Sequence, residues 1–213
     1  MAKQSFLNKQ GPPKRKGATR KTNPVFLVIC EGAKTEVIYF RDLNSWIGRN
    51  SVVRLITISK TNVIASELVK YAIDQGVEHE TNAKRGDQIW CVFDVDSKTQ
   101  AQIREAVDLA RKHRVGIALS NPSFELWYLL HFCYTSSQMQ NAELLERLRE
   151  ADHLPQYKKN ESVFNSIVGF LDEAVRRAEQ LRQHHRNLGN DVFTRAGNPS
   201  TMVADLVKAI REQ

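Results

Sequence analysis

No stretch of this chain approaches the roughly 18–20 continuous apolar residues that a membrane span requires. Its first residues also lack the apolar segment of a secretory signal. The expectation is a soluble, cytoplasmic protein with no membrane contact. Cysteine is scarce: Cys30, Cys91 and Cys133 are odd in number, far apart and set in apolar runs. That argues against a disulfide framework and against a cysteine-built zinc site. Acidic residues are missing from residues 1–24, where Lys3, Lys9, Lys14, Arg15, Lys16, Arg20 and Lys21 stand without a counter-charge. The Gly-Lys-Ser/Thr tripeptide of a P-loop is missing too. Gly32-Ala-Lys34-Thr35 resembles it only superficially, so nucleotide hydrolysis through that motif is rejected.

What is present is a chain of 213 residues with 31 Lys plus Arg, 24 Asp plus Glu and a net charge of +7. Setting residues 1–24 aside leaves 24 basic against 24 acidic residues, so the excess charge is a basic arm on a neutral body. The arm has almost no large apolar residues with which to offset its ordering entropy and is expected to be disordered. The remainder, at 41% hydrophobic residues for the whole chain, is long enough for a sizeable core.

Val25 to Cys30 is a short, β-branched apolar run that stops at Glu31-Gly32, the pattern of a strand buried on both faces. A helix is expected from Thr35 to Ile47, a strand from Val52 to Ile58, and a helix carrying Ile64, Leu68 and Tyr71 that ends near Gly76. Ile89 to Phe93 is another buried strand, Ile103, Val107 and Ala110 stripe a helix, and Val115 to Leu119 is a fourth strand. This alternation predicts an α/β fold with a largely parallel four-stranded sheet flanked by helices. After Ser120 the pattern turns helical: Phe124 to Phe132, Ala142 to Arg149, Val163 to about His185, and Thr201 to Ile210. The expected organisation is a basic arm at 1–24, an α/β core at 25–120, and a helical extension at 121–213 packed on that core.

Two buried strands end in carboxylates: Glu31 after the first, and Asp94 with Asp96 after the third. Right-handed crossovers in a parallel sheet bring those ends to one rim, where open α/β folds place their ligand sites. Residues two apart in extended chain point to one side, so Asp94 and Asp96 can share an ion. Converging carboxylates repel unless a hard cation neutralises them, and an all-oxygen donor set favours Mg²⁺, or Mn²⁺ in its place. The alternative reading, a turn former or helix cap after a strand, fits an isolated Asp-x-Asp equally well.

Glu31-Gly-x-x-Thr35-Glu36, Phe93-Asp94-x-Asp96, Ser120-Asn-Pro-Ser-Phe-Glu125-Leu-Trp127 and Asn198-Pro-Ser-Thr201, taken in this order, resemble the RloB-like family. The resemblance implies a Toprim-like fold and a metal-dependent nuclease of prokaryotic defence against phage, acting on DNA or RNA and often accompanied by a partner ATPase. It further implies Glu31 as general acid/base or ion ligand, Asp94 and Asp96 as Mg²⁺ ligands, and Glu125 as a further site residue. Where many Toprim sites carry more acidic residues, Ser97-Lys98 follow here, which makes Lys98 a candidate phosphate contact. The competing implication is a catalytically inactive Toprim-like module that binds an ATPase or nucleic acid.

Other residues have weaker claims. Glu36 falls in the first turn of a helix, where the dipole favours a carboxylate whether or not it meets substrate. Lys34 and Lys158 are candidate substrate contacts; Tyr157-Lys158-Lys159 together is a candidate substrate-contacting patch opposite the acidic cluster or, otherwise, a solvated loop. Asn198 and Ser200, like Asn121-Pro122-Ser123, are expected to cap following helices, whose N-termini also suit phosphate. His131 reads as a hydrogen-bonded core or surface residue, and Trp46, Trp90 and Trp127 as packing residues.

Overall fold

The computed structural model describes residues 23–48, 53–96 and 98–213. The expectation of disorder for the basic arm therefore falls, but for its last two residues, outside the described residues, as does the predicted strand start at Val52. Strands β1 (Val25–Cys30), β2 (Arg54–Ser59), β3 (Gln88–Asp94) and β4 (Gly116–Asn121) alternate with helices α1 (Thr35–Ile47), α2 (Ala65–Glu78) and α3 (Gln100–His113). Then come α4 (Glu125–Leu130), α5 (Asn141–Leu148), α6 (Phe164–Ile167), α7 (Leu171–Asn187), β5 (Ser200–Thr201) and α8 (Val203–Arg211).

The sheet order is β2-β1-β3-β4-β5. The first four strands are parallel and β5 pairs antiparallel with β4, Ser120 opposite Thr201 and Asn121 opposite Ser200. The sheet thus has five strands rather than the four expected. Two residues are too few to show a period of two, so β5 left no pattern to read.

The apolar runs of the central strands feed two layers. Phe26, Val28, Cys30 and Val92 join one cluster with α1, α4 and the C-terminal helices, while Leu27, Ile29, Cys91 and Phe93 join another with α2 and α3. Alternate side chains bury on opposite faces, which is why these strands show no polar alternation. At the β3–β4 register Trp90 lies beside Gly116, where a Cβ would stand 2.4 Å from the indole; glycine there makes room for the ring.

Several helix boundaries depart from the periodicity. The run expected as a helix from Phe124 to Phe132 is helical only over Glu125–Leu130. Its freed carbonyls at Leu130 and His131 accept from the Arg177 guanidinium at 2.8 and 2.7 Å. The predicted long helix from Val163 is broken into α6, a 3₁₀ turn at Val168–Phe170, and α7. Neither Asn-Pro pair caps the helix that follows it: Asn121 closes β4, Asn198 ends a 3₁₀ turn at Arg195–Gly197 before β5, and the N-cap positions of α4 and α8 fall at Phe124 and Met202. The Asn side chains instead tie loops together, Asn198 by exchanging two hydrogen bonds with the Met139 backbone at 3.0 and 2.9 Å. Trp127 packs in the core as expected, but Trp46 is 50% exposed and only edges toward Phe164. His131 is buried with its Nδ1 2.8 Å from the Trp127 carbonyl; burial lowers its pKa to about 4.

Candidate functional site

The C-terminal rim of the sheet is built by two strand ends held in register. Glu31 N–H donates to Val92 carbonyl at 2.9 Å, and Val95 N–H donates to Ser120 carbonyl at 2.9 Å, so β1, β3 and β4 run out together. The loop Glu31–Lys34, the start of α1, the Asp94–Asp96 turn and the start of α4 surround a cavity of about 380 Å³. Five carboxylates line it: Glu31, Glu36, Asp94, Asp96 and Glu125. The chain thus brings together the acidic residues predicted from three separate motifs.

Their conditions differ. Asp94 is pushed well above the usual carboxylate range, first by burial and then by the negative charges of Glu36, Glu125, Asp96 and Glu31. Its Oδ1 is buried with no hydrogen-bond partner among the described residues. An orphaned buried carboxylate oxygen is costly and calls for a cation or a proton. Glu36 is also raised, chiefly by burial, with Glu125 and Glu31 adding to the shift against its own backbone N–H and Lys159. Its carboxylate lies against Gly32, where a Cβ would stand 2.0 Å from Oε2. The glycine after Glu31 is therefore what admits Glu36 to the cavity, and Glu36 does more than complement a helix dipole.

Glu125 is 2% exposed yet fully engaged. Ser123 hydroxyl donates to its Oε2 at 2.7 Å, Tyr157 hydroxyl donates to its Oε1 at 3.0 Å, and Lys159 Nζ lies 3.3 Å from the same oxygen. Lys98 is 5% exposed, and its ammonium donates to both Glu31 oxygens at 2.7 Å. In the fold the residue expected as a phosphate contact is thus turned inward as a counter-ion of Glu31. Asp96 is exposed, lies in the turn beyond β3 and accepts from Asn141 Nδ2 at 3.1 Å.

The remaining candidates separate cleanly. Lys34 lies at the cavity mouth, exposed. Lys158 does not line the cavity and pairs with Glu161 at 3.0 Å; its neighbour Lys159 lines the cavity instead. Asn198 and Ser200 are also away from this cavity, Asn198 in the loop staple described above and Ser200 buried in β5. Sequence reasoning named Ser123 and Gly32 within their motifs and Tyr157 and Lys159 within a loop patch, but gave none of them the role it has here: Ser123 and Tyr157 donate to Glu125, Lys159 pairs with it, and Gly32 makes room for Glu36.

An all-oxygen donor set with one unpartnered buried oxygen suits a hard divalent cation. The carboxylates are not closed into a tight cage: among the described residues the group whose ligand atoms all lie within 4.8 Å of one another is Glu150, Asp152 and His153, on the surface of the helical layer. The rim carboxylates thus form an open site rather than a closed one.

Comparison with known proteins gives one finding. The family model for RloB-like proteins matches residues 26–210, most of the chain, and the chain belongs to that family. No curated protein and no solved structure matches it. Among the described residues no helix is long and apolar enough to cross a membrane.

Proposed function

We infer that this member of the RloB-like family is a Toprim-like, metal-dependent nuclease that hydrolyses phosphodiester bonds of DNA or RNA in defence against phage, working with a partner ATPase. The observation that carries the reading is Asp94: a half-buried carboxylate with one buried, orphaned oxygen, at the rim of a parallel sheet in a cavity lined by four other carboxylates. Mg²⁺, or Mn²⁺, is the cofactor this donor set suits, held by Glu31, Asp94 and Asp96. Such an ion supplies Lewis-acid polarisation of a phosphate oxygen and lowers the pKa of a bound water.

The chain's own residues supply the rest. Glu36 and Glu125 complete the negative field that concentrates a cation at the rim. Ser123 and Tyr157 fix the Glu125 carboxylate in one orientation, so its charge is presented without reorganisation. Lys34 and Lys159 at the cavity wall offer cations to the substrate's phosphates. The seven basic residues of 1–24 add sequence-independent, salt-sensitive affinity for the same backbone.

One observation favours a second reading. Lys98 already neutralises Glu31 through two short hydrogen bonds, which is what a catalytically inactive binding module for an ATPase or nucleic acid would need in order to persist without an ion. The two are separated by incubating purified protein with DNA, total RNA and tRNA in Mg²⁺ or Mn²⁺, with and without a co-expressed ATPase. The nuclease reading expects divalent-dependent cleavage that Asp94→Ala abolishes with circular dichroism unchanged. Full cleavage by the Asp94→Ala, Glu31→Ala double variant would sink it, and calorimetry showing no Mn²⁺ binding would favour the inactive module.

A further inference from the structure

Beyond the acidic rim a second cavity, of about 500 Å³, opens on the other side of the same turn, and Asp96 lines both. Its chemistry is the reverse of its neighbour's. Apart from Asp96 and Arg195 its polar walls are neutral amides: Asn121, Gln138, Gln140, Asn141 and Asn198. Val95 and Pro122 supply apolar surface.

Two of these amides build the walls. Asn198 is committed at both ends to the Met139 backbone, and Asn121 Nδ2 donates to the carbonyls of Thr194 and Arg195 at 3.1 and 3.3 Å. Between them they fix the 139 and 194–195 segments that carry the exposed Gln138, Gln140 and Arg195. Asn141 is different. A carboxylate only accepts, so the contact with Asp96 must be made by Asn141 Nδ2. That leaves its Oδ1 as the other end of the amide, buried and without a hydrogen-bond partner among the described residues.

A volume of this size, amides offering donors and acceptors together, some apolar wall and one guanidinium together match a nucleotide: a base edge for the amides, a phosphate for the arginine. We propose that this cavity is a base-binding subsite that takes one unpaired nucleobase of a nucleic-acid strand. The unmet Asn141 Oδ1 accepts from an exocyclic amine or ring N–H, and Arg195 holds the adjoining phosphate. Sharing Asp96 with the acidic rim places the seated nucleotide next to the scissile position. A concave pocket of this kind reads a base edge only when the base is out of its helix, so single strands or loops are the substrate form it admits. The subsite rests on the nucleolytic reading for its purpose, but not for its occupancy.

The test is binding without cleavage. Full-length protein in EDTA is titrated with each of the four ribo- and deoxyribonucleoside 5′-monophosphates and with inorganic phosphate, followed by calorimetry and by saturation-transfer NMR. The expected result is a preference among the bases, with base protons rather than sugar protons saturated most strongly. Asn141→Leu should weaken the preferred nucleotide by roughly tenfold, the scale of one hydrogen bond to a buried acceptor. Arg195→Gln should weaken nucleotide and phosphate alike, and Gln138→Ala with Gln140→Ala should erode the base preference. Equal binding of all bases, binding indistinguishable from inorganic phosphate, or wild-type affinity in Asn141→Leu and in the double glutamine variant each overturn the proposal. A protein that binds a preferred base here yet cleaves nothing would leave the subsite standing and remove the nuclease. Cleavage with no dependence on these amides would do the opposite.

Discussion

Strand β3 is bracketed by two aspartates in opposite condition, Asp87 buried and Asp94 half-buried with one buried oxygen. Asp87, just before its first residue, has every need met. Val25 N–H donates to its Oδ1 at 2.8 Å, Asn82 N–H donates to its Oδ2 at 2.8 Å, and Arg85 reaches the same oxygen at 2.7 Å. Burial alone would raise its pKa, but these donors more than reverse that and hold the carboxyl below the usual range. Asp94, at the other end of the strand, has an unpartnered oxygen and four carboxylate neighbours, and stands well above the usual range. One carboxylate closes the strand's start into the fold; the other is kept at a cost that folding does not explain. A satisfied buried charge is structure, and an orphaned one is a candidate ligand.

Exchanging the two residues for alanine breaks the comparison most directly. Asp94→Ala should lower divalent-dependent cleavage by about a hundredfold or more, on the scale of removing one preorganised electrostatic partner, while folding stability in EDTA is unchanged or rises. Asp87→Ala should leave Mn²⁺ affinity intact and cost about 2–4 kcal/mol in urea unfolding, because it strands two backbone N–H groups. A large stability loss in Asp94→Ala would reverse the assignment.

The next effect is on pH. A carboxyl whose folded pKa is raised binds more protons folded than unfolded, so stability is lost as pH rises from the ordinary carboxylate range through the raised value. In EDTA the protein should lose up to ~1.4 kcal/mol per pH unit for each such group across that window. His131 acts with the opposite sign. Its folded pKa of about 4 means its contribution is present above the ordinary imidazole value and lost as pH falls through that range. The difference between wild type and Asp94→Asn isolates the rim: the variant should be the more stable at about pH 8, and saturating Mg²⁺ should narrow the gap. Parallel pH profiles for the two would show that Asp94 is not strained.

The strands that carry this contrast were legible in the sequence, and for a physical reason. Strands buried on both faces write uninterrupted apolar runs, so Val25–Cys30 and Ile89–Phe93 announced themselves, and the acidic residues ending them stood out. Partner assignment is a different matter. Whether a carboxylate is satisfied depends on side chains that folding brings from far away: Lys98 to Glu31 and Tyr157 to Glu125. No spacing encodes those. The same holds for Lys159 taking the place expected of Lys158, since a loop without periodicity does not say which of two adjacent lysines turns inward. Asp87, between Gly86 and Gln88, belongs to no motif, and only its donors in the fold single it out.

Lys98 sharpens the comparison within the rim, because it makes Glu31 resemble Asp87 rather than Asp94. If the ammonium holds the place that a cation takes, Lys98→Met should tighten Mn²⁺ binding by roughly tenfold, the equivalent of one charge-assisted contact no longer competing for Glu31. Unchanged Mn²⁺ affinity would mean that Glu31 belongs to the fold with Asp87, and that the ion rests on Asp94 and Asp96 without it.

Glu125 supplies the case between the extremes and the smallest expected effect. It is as buried as Asp87, but its donors are two hydroxyls and one exposed ammonium rather than backbone N–H groups and a guanidinium. Hydroxyl donors can turn away, so Glu125 can be satisfied in the resting fold and still release an oxygen to a ligand. Tyr157→Phe should therefore cost only about 1 kcal/mol of stability in EDTA, the net worth of one hydrogen bond, and that penalty should shrink when Mg²⁺ is added. A penalty that stays the same with and without the ion would place Glu125 with Asp87, as a structural carboxylate that happens to face the site.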